Sequence, residues 1–368
     1  MNLQQHPFFT PWTDPVSGVV SYVLTERLAP MQQSFYFTNP SISADEKWLW
    51  FYTAYSPSPV KTLGVVSLDP ARPVKMHFPW ATFSSVSPLV APEGDSIYFC
   101  MEDSVYRQGI TGGPGIICTL PKEYKAGRRL ERLATHLTLS ADGRSLLLDG
   151  ELGNIYFTAI ADIATGDVRI IREFSYRHNH GQFSPVDNEL YLIPADTQTD
   201  PVTGIYSHHD FRIFLADIYD KRFECLTPHI RSTPYHGACH EWWSADGKVC
   251  YVDYDTGAYE YDLATRTHTH IWREPLCHAH CDSSRRYWCA DQSPYYWAEK
   301  PCQVLFYDSK SGHRIEIASG LPEPSEPRGK YHIDPHPQFS PLDTAIVYTT
   351  TVLGKIDVAI TPLAGILA

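Results

Sequence analysis

The chain has 368 residues, 43% of them hydrophobic and 20% charged, enough for a substantial core in one large all-β unit or two average domains. A formal net charge of −12 argues against a general nucleic-acid binder, and a polyanionic substrate would need a metal or a local arginine cluster to reverse the field in one cleft. Nine scattered cysteines without a CxxC pair, no basic-then-apolar leader and no long apolar run set aside a disulfide framework and a membrane span, so a soluble cytoplasmic protein is expected.

In chain order, the first element with strand character is GVVSYVLTE, residues 18–26. One nine-residue pattern then recurs seven times: a small residue, a turn with Asp or Gly, and a strand. The copies are SADEKWLWF from Ser43, APEGDSIYF from Ala91, SADGRSLLL from Ser140, SPVDNELYL from Ser184, SADGKVCYV from Ser244, DSSRRYWCA from Asp282 and SPLDTAIVY from Ser340. A hairpin unit recurring at intervals of roughly 40 to 60 residues predicts a β-propeller, here seven-bladed and spanning 1–368 as one domain. The last turn leaves room for only two strands, near 345–351 and 355–361. The N-terminal segment is therefore expected to complete the seventh blade and close the ring. Long intervals before Ser244 and Ser340 predict loops at 197–210 and 321–330.

Four residues before each copy stand Asn39, Ser87, His136, His180, His240, His278 and His336. With only 17 histidines in the chain, five in seven equivalent slots point to a ring at the mouth of the channel, on the innermost strands. A lone histidine is usually a core residue, and His136 in ATHLTLS reads that way. The others sit in polar groups: His178 with His180, His236 with His240 and Glu241, His278 with His280, and His332 with Asp334 and His336. An inner strand would bury such groups only at a cost unless they bind something. On regular strands His278 and His280 share a face, as do His332, Asp334 and His336. Imidazole and carboxylate on adjacent strands would hold a divalent cation, Mn²⁺ or Zn²⁺ more readily than Ca²⁺.

HNHGQFSP (178–185), FRIFLADI (211–218), CHEWWSADGK (239–248), CHAHCDSS (277–284) and DPHPQFSP (334–341) resemble, in order, the landmarks of the oligogalacturonate lyases. That resemblance implies a seven-bladed propeller that cleaves short pectic oligouronides with the help of Mn²⁺. It matches His278 to a metal histidine and His336 to the second histidine of an HPHP motif. Asp334 stands where that motif has its first histidine, and Tyr331 where a glutamine ligand is expected. It also implies that Arg212 is the catalytic base and that His240 is the active-site histidine before Glu241.

The implied reaction removes the weakly acidic proton at C5 of a uronic acid and expels the sugar linked at C4. A cation held by His278, Asp334, His336 and His280 would neutralise the uronate carboxylate. A guanidinium is a poor base, so on chemical grounds His240 and His180 compete with Arg212. Arg177 and Arg231 are candidate carboxylate clamps, and His178 and His236 candidate substrate contacts. Two other readings stay open: a lyase or glycoside hydrolase acting on rhamnose–glucuronate or ulvan-type glycans, and a non-catalytic propeller that binds carbohydrate or protein.

Overall fold

The serine that opens most of the repeats organises its turn. Ser140 Oγ donates to Asp142 Oδ1 at 2.7 Å and accepts the Ser145 N–H at 3.0 Å. Ser43 does the same with Asp45 and Trp48, and Ser244 with Asp246 and Lys248. The fourth residue of six copies is left-handed: Glu46, Gly94, Gly143, Gly247, Arg285 and Asp343. Glycine adopts that conformation without steric cost, and the other three hold it because the hairpin closes around them.

The computed structural model describes residues 1–83, 88–200, 203–229 and 237–367. Its strands form a seven-bladed propeller of antiparallel sheets. The first six blades run outward from Met31–Gln33, Leu89–Val90, Thr138–Leu139, Gln182–Phe183, Ala238–Trp243 and Ala279–Cys281. The seventh is built from Gln338–Phe339, Ala345–Thr350 and Asp357–Pro362, and then from the N-terminal strands Val20–Leu24 and Phe9–Thr13. Tyr22 pairs with Ile360 and Val23 with Ala359, so the two ends of the chain lie in one sheet as expected. The Ser21 hydroxyl bonds Thr361 Oγ1 at 2.7 Å and accepts the Tyr348 hydroxyl at 2.9 Å inside that seam.

The core lies between blades, because the middle strands bury apolar side chains on both faces. Phe174 and Leu147 of blade 3 pack on Phe183 and Tyr191 of blade 4. Phe306 and Cys289 of blade 6 pack on Phe339, Tyr348 and Val23 of blade 7, and Leu49 and Phe51 of blade 1 close the ring against Val347 and Val358. Two predicted loops are more ordered than expected. Gln198–Thr199 pairs with Tyr206–Ser207 as a small hairpin, and Arg328–Tyr331 is a single helical turn leading into blade 7. No helix among the described residues is long and apolar enough to cross a membrane.

Candidate functional site

At three of the histidine slots the backbone is left-handed and not extended. His180, His240 and His336 have φ of 55°, 46° and 46°, and His332, which ends the helical turn Arg328–Tyr331, has 52°. Left-handed residues interrupt the alternation of a strand. The period-two expectation for 332–336 therefore fails, and side chains meet there that regular strands would separate.

Tyr36 of blade 1 sits among the ring histidines. Its ring stacks on His136 at 4.8 Å and His180 at 5.9 Å, and meets His336 at 4.8 Å and the edge of His278 at 5.5 Å. Asn39, in the first slot, is a tie between blades: its amide donates to the Pro88 and Leu137 carbonyls at 3.0 and 2.9 Å.

Nitrogen atoms of His278, His332 and His336 lie within 4.8 Å of one another. His278 is oriented from behind, with its Nδ1 3.1 Å from Asp291 Oδ2 and its N–H donating to Asp291 Oδ1 at 2.8 Å. A carboxylate behind an imidazole fixes its tautomer, which leaves Nε2 as a ligand atom. Asp291 also accepts the His336 N–H at 3.1 Å, and its burial pushes its own carboxyl up to about 7. His336 Nε2 is buried without a partner. Burial pushes His278 down to about 3 and His336 well below the usual range, so both are neutral and competent to bind a metal. A second group within the same spacing is His240, Cys277 and His278.

The structure does not complete the expected ligand set. Asp334 lies outside the three-nitrogen group, 3.6 Å from His332 and 3.9 Å from Arg328. His332 takes the place expected of Asp334 because its left-handed backbone turns it toward His336, the rings being 4.6 Å apart. His280 does not join His278: its Nδ1 accepts the Phe339 N–H at 3.2 Å and ties blade 6 to blade 7. Tyr331 is buried, and its hydroxyl has no partner.

Arg212 is the hub of a second cluster. It donates through Nε to Glu241 Oε2 at 3.0 Å, to Asp196 Oδ1 at 3.1 Å and to His180 Nδ1 at 3.1 Å. Burial opposes its charge, but Glu241 and Asp196 outweigh this and hold the guanidinium protonated well above its ordinary range. That is the reverse of what a base needs. An arginine can only donate, so His180 accepts at Nδ1 and carries its proton on Nε2. His240 is the opposite tautomer: Nδ1 donates to the Cys277 carbonyl at 2.5 Å, which leaves a lone pair on Nε2, 3.4 Å from the Tyr254 hydroxyl. Burial, then His278 and Arg212, hold His240 well below the usual histidine range.

These groups line two adjoining chambers. The larger, about 400 Å³, has Asp196, Arg212, His240 and Tyr254 in its wall. The smaller, about 210 Å³, has Lys61, His136, Tyr331 and His336. Tyr36, His180 and His332 belong to both.

Two expected substrate contacts lie elsewhere. His178 is buried among Phe174, Tyr176, Phe214 and Phe223, with Nδ1 on the Ile193 carbonyl. Arg177 lies over Tyr156, 3.5 Å from Glu151, and donates to the Thr197 carbonyl. Ser87, Arg231 and His236 lie outside the described residues. Sequence reasoning missed Tyr36, Lys61, Asp196 and Asp291. The first two carry no motif; Asp291 stands on the second strand of blade 6 and Asp196 beyond the end of the second strand of blade 4, both away from the repeat slot.

No family model and no curated protein matches this sequence. Among solved structures, an oligogalacturonate lyase in complex with manganese matches with a TM-score of 0.76 and 17% identity, covering 96% of this chain and 96% of that one. An oligogalacturonate lyase from Vibrio parahaemolyticus matches with 0.76 and 16%, again over 96% of each. At these identities the likeness shows a shared fold over nearly the whole chain.

Proposed function

We propose that the protein is a lyase of uronic-acid-containing oligosaccharides, of the oligogalacturonate type, acting by β-elimination across C5 and C4. The observation that carries this reading is the pairing of a three-histidine group with a neutral histidine, His240, whose Nε2 lone pair lines a polar chamber. His278, His332 and His336 fit a divalent cation: His336 Nε2 is a buried atom in need of a partner, and His278 has its orienting carboxylate. Mn²⁺ is the first candidate by resemblance, and three imidazoles suit Zn²⁺ as well. When bound, the cation supplies Lewis-acid neutralisation of the uronate carboxylate.

In this reading His240 takes the C5 proton at Nε2, and its Nδ1–H stays on the Cys277 carbonyl to hold the ring in place. Arg212 is a positioning group. It fixes His180 with Nε2–H available to a substrate oxygen, and its charge is balanced by Glu241 and Asp196. The test is incubation with oligogalacturonates and with rhamnose–glucuronate oligomers, Mn²⁺ supplied, with ultraviolet absorbance followed. A rise from the 4,5-unsaturated product with a uronate oligomer is expected. New reducing ends without absorbance would show a hydrolase instead, and no change with any uronate oligomer would end the lyase reading.

A further inference from the structure

We propose that the smaller chamber is a subsite for an acidic sugar, in which Lys61 receives the carboxylate of the unit next to the one that reacts. The proposal rests on the uronate reading above and deepens it.

Lys61 begins the blade 1 strand Lys61–Ser67 and lines the chamber with its amine over the Tyr52 ring, 4.5 Å from the ring centre. Among the described residues it has no ion-pair partner, unlike Arg328 and Arg212. Lys330 donates to the Pro57 carbonyl at 2.6 Å, and Arg328 is held by Glu323 at 2.9 Å and the Ile333 carbonyl at 2.7 Å. Arg212, across the shared wall, is neutralised by two carboxylates. Lys61 has no carboxylate within ion-pair distance among the described residues. Burial pushes its ammonium down to about 8, and after burial and its histidine neighbours, Lys61 adds to the lowering of His336.

The rest of the wall asks for a hydroxyl-rich ligand. Gln33 Oε1, both His136 nitrogens and the Tyr331 hydroxyl are all buried without partners, and all three residues line this one chamber. Buried polar atoms are nearly always paired, so three unpaired side chains around one small cavity mark a place where a polar ligand supplies the partners. They offer donors and acceptors together, as sugar hydroxyls do, and Lys61 adds the demand for an anion. Arg132, with Nε and one terminal nitrogen buried and unpartnered, acts from the same side: after burial it is the next contributor to the lowering of His136. In a chain of net charge −12, this is the local reversal of field that a polyanion requires. The two chambers meet at Tyr36, His180 and His332, so two linked units would straddle the histidine group.

The experiment is calorimetric titration of digalacturonate and of its fully methyl-esterified form into wild type, Lys61→Gln and Lys61→Arg. Chelator is present, so that a cation at the histidines contributes nothing to the preference. Wild type should bind the free acid roughly tenfold more tightly than the ester, which is what a charge-assisted contact contributes. Lys61→Gln should bind the two alike, and Lys61→Arg should keep most of the preference. An unchanged preference in Lys61→Gln, or a wild type that binds both forms equally or neither, overturns the proposal. Turnover of the same acid with Mn²⁺ is scored separately. A Lys61-dependent preference without any unsaturated product would reject the lyase and keep the subsite.

Discussion

Arg212 holds Glu241 and Asp196 at 3.0 and 3.1 Å, and those two carboxylates set its chemistry. If the guanidinium were the base, the acid limb of the pH–rate profile would lie far above neutrality. With His240 as base the sign reverses. A histidine held below its usual range stays neutral on mild acidification, so kcat should persist below pH ~6.5 and fall only as His240 takes a proton. His240→Ala should cost about 10²-fold or more in kcat without loss of the fold. Arg212→Lys should keep the charge, lose the fork and lower kcat with little change in the pH limb. An acid limb at or above the usual histidine range would count against His240. At this scale the sequence was legible where residue type was unusual, as at His278 and His336. It was silent where an ordinary residue is made special by its surroundings: Tyr36 in SFYFT reads as strand packing, and Lys61 as a strand edge.

In three blades the element that joins the blade to the channel is a left-handed corner at the histidine slot. The repeat located the corner, but its conformation could not be read from the sequence, which is why His332 and not Asp334 meets His278 and His336. The inner strands and the segments leading into them also bury histidines in the neutral state. His136 and His278 are pushed down to about 3, and His178 and His280 to about 4, by burial. A folded-state value below the unfolded one contributes stability that is complete above pH ~6.5 and is lost as pH falls toward those values. Asp291, pushed up to about 7, works in the opposite sense, its contribution fading as pH rises from the usual carboxylate range to about 7. Four groups outweigh one, so the apo protein should lose thermal stability steadily from pH ~6.5 to ~4. His136→Phe, which removes a titrating ring whose nitrogens make no hydrogen bond, should flatten that slope. A melting temperature constant over this window would contradict the account.

The whole ring is held at one seam, where Val20–Leu24 joins Asp357–Pro362. The seam was legible in the sequence, because seven turns with too little chain after the last leave one strand to be found elsewhere. The closure joins residues at opposite ends of the chain, so a large loop entropy is met before these contacts form, and the seam belongs to the late, non-local part of folding. Burial varies along the strand: Val23 is fully buried in the cluster with Phe306, Ile346 and Ala359, whereas Val20, at the strand's start, is 37% exposed. Val23→Asp puts an unpaired carboxylate between blades 6 and 7 and should cost about 4 kcal/mol or more, enough to open the ring. Val20→Asp, at the exposed end of the strand, should change stability by no more than about 0.5 kcal/mol. Denaturant titrations of the two variants compare a cut at the seam with the same chemistry beside it. If Val23→Asp unfolds at the midpoint of Val20→Asp, the N-terminal strand is an ornament on a ring that closes without it. If it unfolds far earlier and at lower cooperativity, the first strands hold the other six blades in register around the histidines.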